Sequence, residues 1–141
     1  MGDEGGLAGT TRQAKVVGMK HSSGFLKLVD DAKSRVREVT VDQSRARLAA
    51  NPKAVLIDVR EDLEWSAGHA EGAVHLGKGI LERDLENLYP DKDVELILYC
   101  GGGFRSALSA DAAQKMGYTN VVSLAGGFRA LNEAGWPMVR S

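Results

Sequence analysis

The chain has 141 residues, 43% of them hydrophobic and 26% charged, with a formal net charge of −1. That length can bury a core without disulfides or metal, and near-neutrality offers nothing for nucleic acid or an anionic membrane to recognise. The single cysteine, Cys100, excludes an internal disulfide, a Cys-x-x-Cys redox pair and a multi-cysteine zinc site.

Residues 1–20 are glycine-rich and polar without periodicity, which predicts a flexible tail, and residues 21–141 are read as one domain. The start of the chain has neither a basic segment nor an apolar stretch of signal-peptide type, and no apolar run is long enough to span a membrane. With one cysteine, suited to a reducing compartment, these features predict a cytoplasmic location.

Phe25, Leu28, Val29, Ala32 and Val36 recur at helical spacing with charges between them, which predicts an amphipathic helix over about 25–36. Val39-Thr40-Val41 reads as a short strand. Asp42 is the expected N-cap of a second helix that stops at Asn51-Pro52. Ala54 to Val59 is a nearly continuous apolar run, the pattern of a strand covered on both faces in a parallel sheet. A helical patch holding Leu63, Glu64 and Trp65 follows, then a loop punctuated by Gly68 and Gly72.

Ala73 to Leu76 is the next strand. Ile80 to Leu88 places Leu81, Leu85 and Leu88 on one helical face before Pro90 breaks it. Glu95 to Tyr99 is a strand, Ala107 to Met116 a helix with Gly117 at its C-terminal cap, and Asn120 to Leu124 a strand. Gly126-Gly127 is expected to make a tight strand-to-helix turn into a last helix through Phe128 and Leu131, and Trp136-Pro137 closes the domain. Strands alternating with helices imply an α/β layer fold with a mainly parallel sheet.

The segment Cys100-Gly101-Gly102-Gly103-Phe104-Arg105 joins a buried strand to a helix. Ligands of open α/β sheets bind at the carboxyl ends of strands, where Cys100 stands. Glycines leave room for an approaching group and allow backbone N–H groups to converge on one point. The positive end of the following helix and the charge of Arg105 act on the same spot. All three favour a thiolate and an anionic adduct on its sulfur, so Cys100 is the candidate nucleophile rather than a packing residue.

Asp58-Val59-Arg60-Glu61, Glu64-Trp65, Gly68-His69-Ala70-Glu71-Gly72-Ala73-Val74, the Cys100 to Ser106 loop, and Leu124-Ala125-Gly126-Gly127 with Trp136 together resemble the rhodanese family of single-domain sulfurtransferases, over residues 37–139. The resemblance implies a five-stranded, mainly parallel central sheet with helices on both faces. It also implies transfer of a sulfane sulfur from a donor such as thiosulfate to Cys100, and from that persulfide to cyanide or a thiol, small or protein-borne. No metal or separate cofactor is implied, since the covalent persulfide is the carrier. Gly101, Gly102, Gly103, Phe104 and Arg105 are the expected sulfur pocket, with Arg105 either orienting an anionic donor or closing the loop.

Asp58 and Arg60 match the family's Asp-x-Arg and are read as loop support and donor contacts, against a capping aspartate and a surface ion pair. His69 is expected to hydrogen-bond to backbone. Phe104 either lines the pocket mouth or packs. Cysteine phosphatases and arsenate reductases of the same fold resemble Cys-x-x-x-x-x-Arg, often after a histidine. Here four residues separate Cys100 from Arg105, and Tyr99 precedes the cysteine. The shorter loop resembles that of the sulfur-handling branch, which implies a pocket for one sulfur atom rather than for a tetrahedral oxyanion. A non-catalytic interaction module on the same fold is the other alternative, and the retained cysteine speaks against it.

Overall fold

A computed structural model describes residues 21–140; the predicted tail lies outside the described residues. In chain order the elements are α1 (Ser23–Lys33), β1 (Arg37–Val39), α2 (Val41–Ala50), β2 (Val55–Asp58), α3 (Asp62–Ala67), β3 (His69–Ala70), β4 (Val74–His75), α4 (Lys78–Leu88), β5 (Leu96–Tyr99), α5 (Phe104–Lys115), β6 (Val121–Leu124), α6 (Gly127–Glu133) and β7 (Met138–Val139). Five strands form one sheet in the order β1-β6-β5-β2-β4, and every pairing in it is parallel.

The pleat sorts the core. Successive strand side chains point to opposite faces, so Ile57, Val59, Leu96, Leu98 and Cys100 fall on one face. They pack there with Leu81 and Leu85 of α4 and with Ala110 and Ala113 of α5. Leu56, Ile97 and Tyr99 fall on the other face with Leu131 of α6, Leu48 of α2 and Trp136. Leu56, Ile57, Leu96, Ile97 and Leu98 are at most 2% exposed, each worth about 2 kcal/mol of burial. The uninterrupted apolar run of each central strand is the sequence trace of this two-sided cover.

Several boundaries differ from expectation. The first strand is Arg37–Val39, not residues 39–41, because Thr40 leaves the sheet to cap α2. Thr40 Oγ1 accepts the Gln43 N–H at 3.1 Å while Gln43 Oε1 accepts the Thr40 N–H at 2.9 Å. This reciprocal capping box satisfies two orphan donors and displaces Asp42 to the first helical turn, where it faces the positive helix end. A second sheet is an addition: β3 and β7 pair antiparallel, His69 opposite Val139 and Ala70 opposite Met138. Two-residue strands carry no readable alternation, so the sequence gives no sign of this ribbon.

The amphipathic first helix is present and lies against α5, burying Val29 and Ala32 at 1% exposure each. Arg35, just past its end, donates to Asp111 of α5 at 2.9 and 2.8 Å and to Asp31 at 3.2 and 2.8 Å. Arg35 holds the Asp111 carboxyl below the usual carboxylate range. No described helix is long and apolar enough to cross a membrane.

Candidate active site

Cys100 directly follows β5, the central strand, and the chain leaves the two neighbouring strands β5 and β2 in opposite directions, β5 toward β6 and β2 toward β4. Ligand clefts of open α/β sheets form at such points. The Cys100 side chain is 1% exposed. Its Sγ accepts the Gly103 N–H at 3.1 Å and lies 3.5 Å from Ser106 Oγ, which is 2.8 Å from Ser123 Oγ. Ser106 and Ser123 are fully buried, so the two hydroxyls can relay a hydrogen bond toward the sulfur once it is ionised.

The loop is shorter than expected because α5 begins at Phe104 rather than at Ala107. Among the three loop glycines, Gly103 is the one with positive φ, +98°. It turns its N–H back onto Sγ and stands as N-cap of α5, with no side-chain cap on the helix's first N–H groups. A Cβ on Gly103 would come 3.1 Å from the Gly126 nitrogen, while one on Gly102 would meet nothing within 4 Å. Gly103 is therefore required by geometry, and Gly102 leaves the loop's outer side open.

Gly126-Gly127 does more than turn the chain. Gly126 and Gly127 have φ of +79° and +54°, and a Cβ on Gly127 would fall on the Cys100 carbonyl oxygen. This close approach lets the first turn of α6 hold the cysteine loop from behind. The Phe128 N–H donates to the Cys100 carbonyl at 2.6 Å, and the Arg129 N–H donates to the Gly101 carbonyl at 3.2 Å. Both carbonyls are thereby turned away from the sulfur.

Arg105 lies in the first turn of α5. Its guanidinium makes a two-pronged ion pair with Glu64 of α3, Nη1 to Oε1 at 2.8 Å and Nη2 to Oε2 at 3.1 Å. The same guanidinium arches over Gly101, with Nη2 3.1 Å from where a Cβ would stand. Arg105 holds the Glu64 carboxyl below its ordinary range, and Glu64 raises the guanidinium in turn. Phe104 packs outward: its ring centroid is 4.7 Å from His21 and 6.3 Å from Phe25, with the Lys33 Nζ 4.9 Å above it.

Asp58 and Arg60 are buried at 0% and 5% exposure, and they bond to each other through Nε and Nη2 at 2.8–3.1 Å. The Arg60 Nη2 also donates to the Gly68 carbonyl at 2.7 Å. Tyr99 OH donates to Asp58 Oδ2 at 2.6 Å and accepts the Ala70 N–H at 3.1 Å. Burial, then the Asp58 carboxylate, push the Tyr99 phenol above its usual range. The strand pleat puts this network on the α6 face, where Arg60 stacks over Phe128 at 4.3 Å, whereas Cys100 points to the α5 face. The network ties β2, β3 and β5 together beneath the loop. His69 donates its Nδ1–H to the Trp65 carbonyl at 2.9 Å, and its ring stacks on the Trp65 ring with centroids 3.4 Å apart.

Cys100, Gly101, Gly102, Gly103 and Arg105 are thus one cluster; Asp58 and Arg60 support it from the far face, and Phe104 joins α1. Glu64, Ser106 and Gly127 stand in the quoted motifs, but the sequence reading gives them no role at the site, and it reads Ser123 only as part of a strand. The Ser106 and Ser123 pair had no signal, because lone serines are ordinary in helices and strands.

The family model for the rhodanese-like domain matches residues 40–134. The probable adenylyltransferase/sulfurtransferase MoeZ of Mycobacterium tuberculosis is 32% identical over 105 residues, covering 73% of this chain and 27% of its own. The chain therefore spans about a quarter of that relative's length. Among solved structures, a protein of unknown function and possible tyrosine phosphatase from Rhodopseudomonas palustris matches with TM-score 0.75 and 28% identity, covering 86% of this chain and 98% of that one. The human single-domain sulfurtransferase TSTD1 matches with TM-score 0.62 and 30% identity, over 70% and 96% of the two chains. On the family model alone, which takes in well over half of its residues, the chain belongs to the rhodanese-like domain family.

Proposed function

We propose that this chain is a sulfurtransferase that carries a sulfane sulfur as a persulfide on Cys100. The observation that carries the reading is the placement of Cys100 Sγ: it receives the Gly103 N–H at 3.1 Å, beside the uncapped first turn of α5. A persulfide sulfur extending from Cys100 meets the N–H groups that a helix start leaves without partners. The Cys100 thiolate attacks the outer sulfur of the donor, a new S–S bond forms, and the donor's own S–S bond breaks with its electron pair leaving on the donor remainder. With thiosulfate that remainder is sulfite. In the second half-reaction cyanide attacks the terminal sulfur, thiocyanate leaves, and Cys100 returns as thiolate.

No histidine base enters either step, since neither attack requires a proton to be removed from a bound substrate. The Gly103 N–H and the Ser106 hydroxyl stabilise negative charge on sulfur, in the manner of an oxyanion hole. Asp58, Arg60 and Tyr99 act beneath the loop as support and touch no substrate. The acceptor is a thiol or cyanide, and the reducing cytoplasm that suits an unpaired cysteine is part of the proposal. Four intervening residues between Cys100 and Arg105, and an arginine already paired to Glu64, weigh against the phosphatase reading.

Intact-mass measurement tests this directly. Wild-type protein treated with thiosulfate or with glutathione persulfide should gain one sulfur atom, and cyanide should remove it as thiocyanate. Cys100→Ser should gain none while melting as wild type. A wild-type chain that stays unloaded by both donors, or a serine variant that still transfers sulfur, refutes the proposal.

A further inference from the structure

Two guanidinium groups belong to the active-site sequence motifs, and each is already occupied. Arg60 is buried against Asp58 and the Gly68 carbonyl. Arg105 is held by both carboxylate oxygens of Glu64. Glu64 is itself fixed: its Oε1 also accepts the Glu61 N–H at 3.0 Å, in a capping box at the start of α3. The Arg105–Glu64 pair therefore sits over Gly101, next to Cys100, as a preformed unit whose charges cancel. Glu61 and Asp62, at the start of the same helix, add negative charge on that side.

This arrangement bears on what can approach a sulfur that is 1% exposed. In thiosulfate the atom bonded to the transferred sulfur carries three sulfonate oxygens, so a dianion must come close to Arg105 while Glu64 is beside it. In an organic persulfide, R–S–S–H, the corresponding atom is a divalent sulfur bearing no charge. We infer that Glu64, by occupying Arg105, is a specificity-determining residue that disfavours sulfonate-bearing donors and selects low-molecular-weight organic persulfides. The reaction balances without any oxidant: the Cys100 thiolate attacks the terminal sulfur of R–S–S–H, giving Cys100–S–S–H and the thiolate R–S⁻. The inference rests on the persulfide-carrier reading and names the donor class for that site.

The test is the second-order rate constant for loading Cys100, followed by intact mass, with thiosulfate and with glutathione persulfide. The wild-type protein should load faster from the persulfide. Glu64→Gln keeps an oxygen for the Glu61 N–H but removes the carboxylate charge from Arg105. It should raise the ratio of thiosulfate to persulfide rate constants about tenfold, the size of one screened charge interaction near a protein surface. Adding Arg105→Gln to Glu64→Gln should cancel that rise, because the freed guanidinium is its source. A wild-type preference for thiosulfate overturns the inference, as does a ratio that is unchanged or lowered in Glu64→Gln. A wild-type chain that neither donor loads defeats the carrier reading instead, so the two failures are distinct.

Discussion

Replacing Gly127 with alanine should damage the cysteine loop from its far side. The new Cβ would fall on the Cys100 carbonyl oxygen and stand 2.9 Å from the carbonyl carbons of both Cys100 and Gly101. Those are backbone atoms in a packed strand end, so they cannot rotate away as a side chain would. The φ of +54° at Gly127 costs an alanine about 1 kcal/mol by itself. The steric term, treated as overpacking of a close-packed interior, adds about 1–3 kcal/mol. Gly72→Ala separates the two terms: Gly72 has φ +89°, and a Cβ there meets nothing within 4 Å.

Urea unfolding of both variants should place Gly127→Ala below Gly72→Ala by the steric term alone, a midpoint difference of about 1 M for a small domain. Sulfur loading should fall tenfold or more in Gly127→Ala, because relieving the clash breaks the 2.6 Å bond from the Phe128 N–H to the Cys100 carbonyl. Loading should stay at the wild-type rate in Gly72→Ala. Equal midpoints for the two variants, or normal loading in Gly127→Ala, would refute the claim that α6 holds the loop in shape.

Three further outcomes follow from the same geometry. Ser106→Ala removes the hydroxyl 3.5 Å from Cys100 Sγ and should slow sulfur loading by about tenfold, the usual worth of one hydrogen bond to a charged group; stopped-flow loading at fixed donor concentration reads it. Tyr99→Phe strips a donor from Asp58 and a partner from the Ala70 N–H, both buried, and should cost about 1–3 kcal/mol in urea unfolding. Asp111 and Glu64 are both held below their ordinary range by arginine partners, so the unfolded chain binds protons that the folded chain does not. Their stabilisation is present above the ordinary carboxylate range, about pH 4, and is lost as pH falls through the folded values. Asp111→Asn should flatten that acid slope in urea midpoints measured from pH 6 downward.

The sheet was legible because its central strands are buried on both faces, and unbroken runs such as Leu96 to Tyr99 have few other uses. Helix ends were less legible where two residues competed for the cap. Asp42 is a good capping residue, but Thr40 wins through the reciprocal bond with Gln43. In the candidate site, Cys100 and the glycines could be read from chemistry and position. The direction of side chains could not: the pleat sends Asp58 and Tyr99 to one face and Cys100 to the other, a distinction that a linear motif hides. The partner of Arg105 was equally hidden, since Glu64 lies in a separate motif and meets it through the packing of α3 against the loop.

The match to the family model starts at residue 40, after α1 and β1 have already been laid down. The family model and the packed domain therefore have different borders in this chain. A fragment cut at residue 40 would lose the outer strand beside β6 and uncover the flank of α5 that Val29 and Ala32 shield. It would also leave Asp111 to Lys115 as its remaining cation among the described residues. Anyone transplanting the cysteine loop into another host protein should carry the first helix with it, because the helix that presents Arg105 and Ser106 to the cysteine is the one α1 braces.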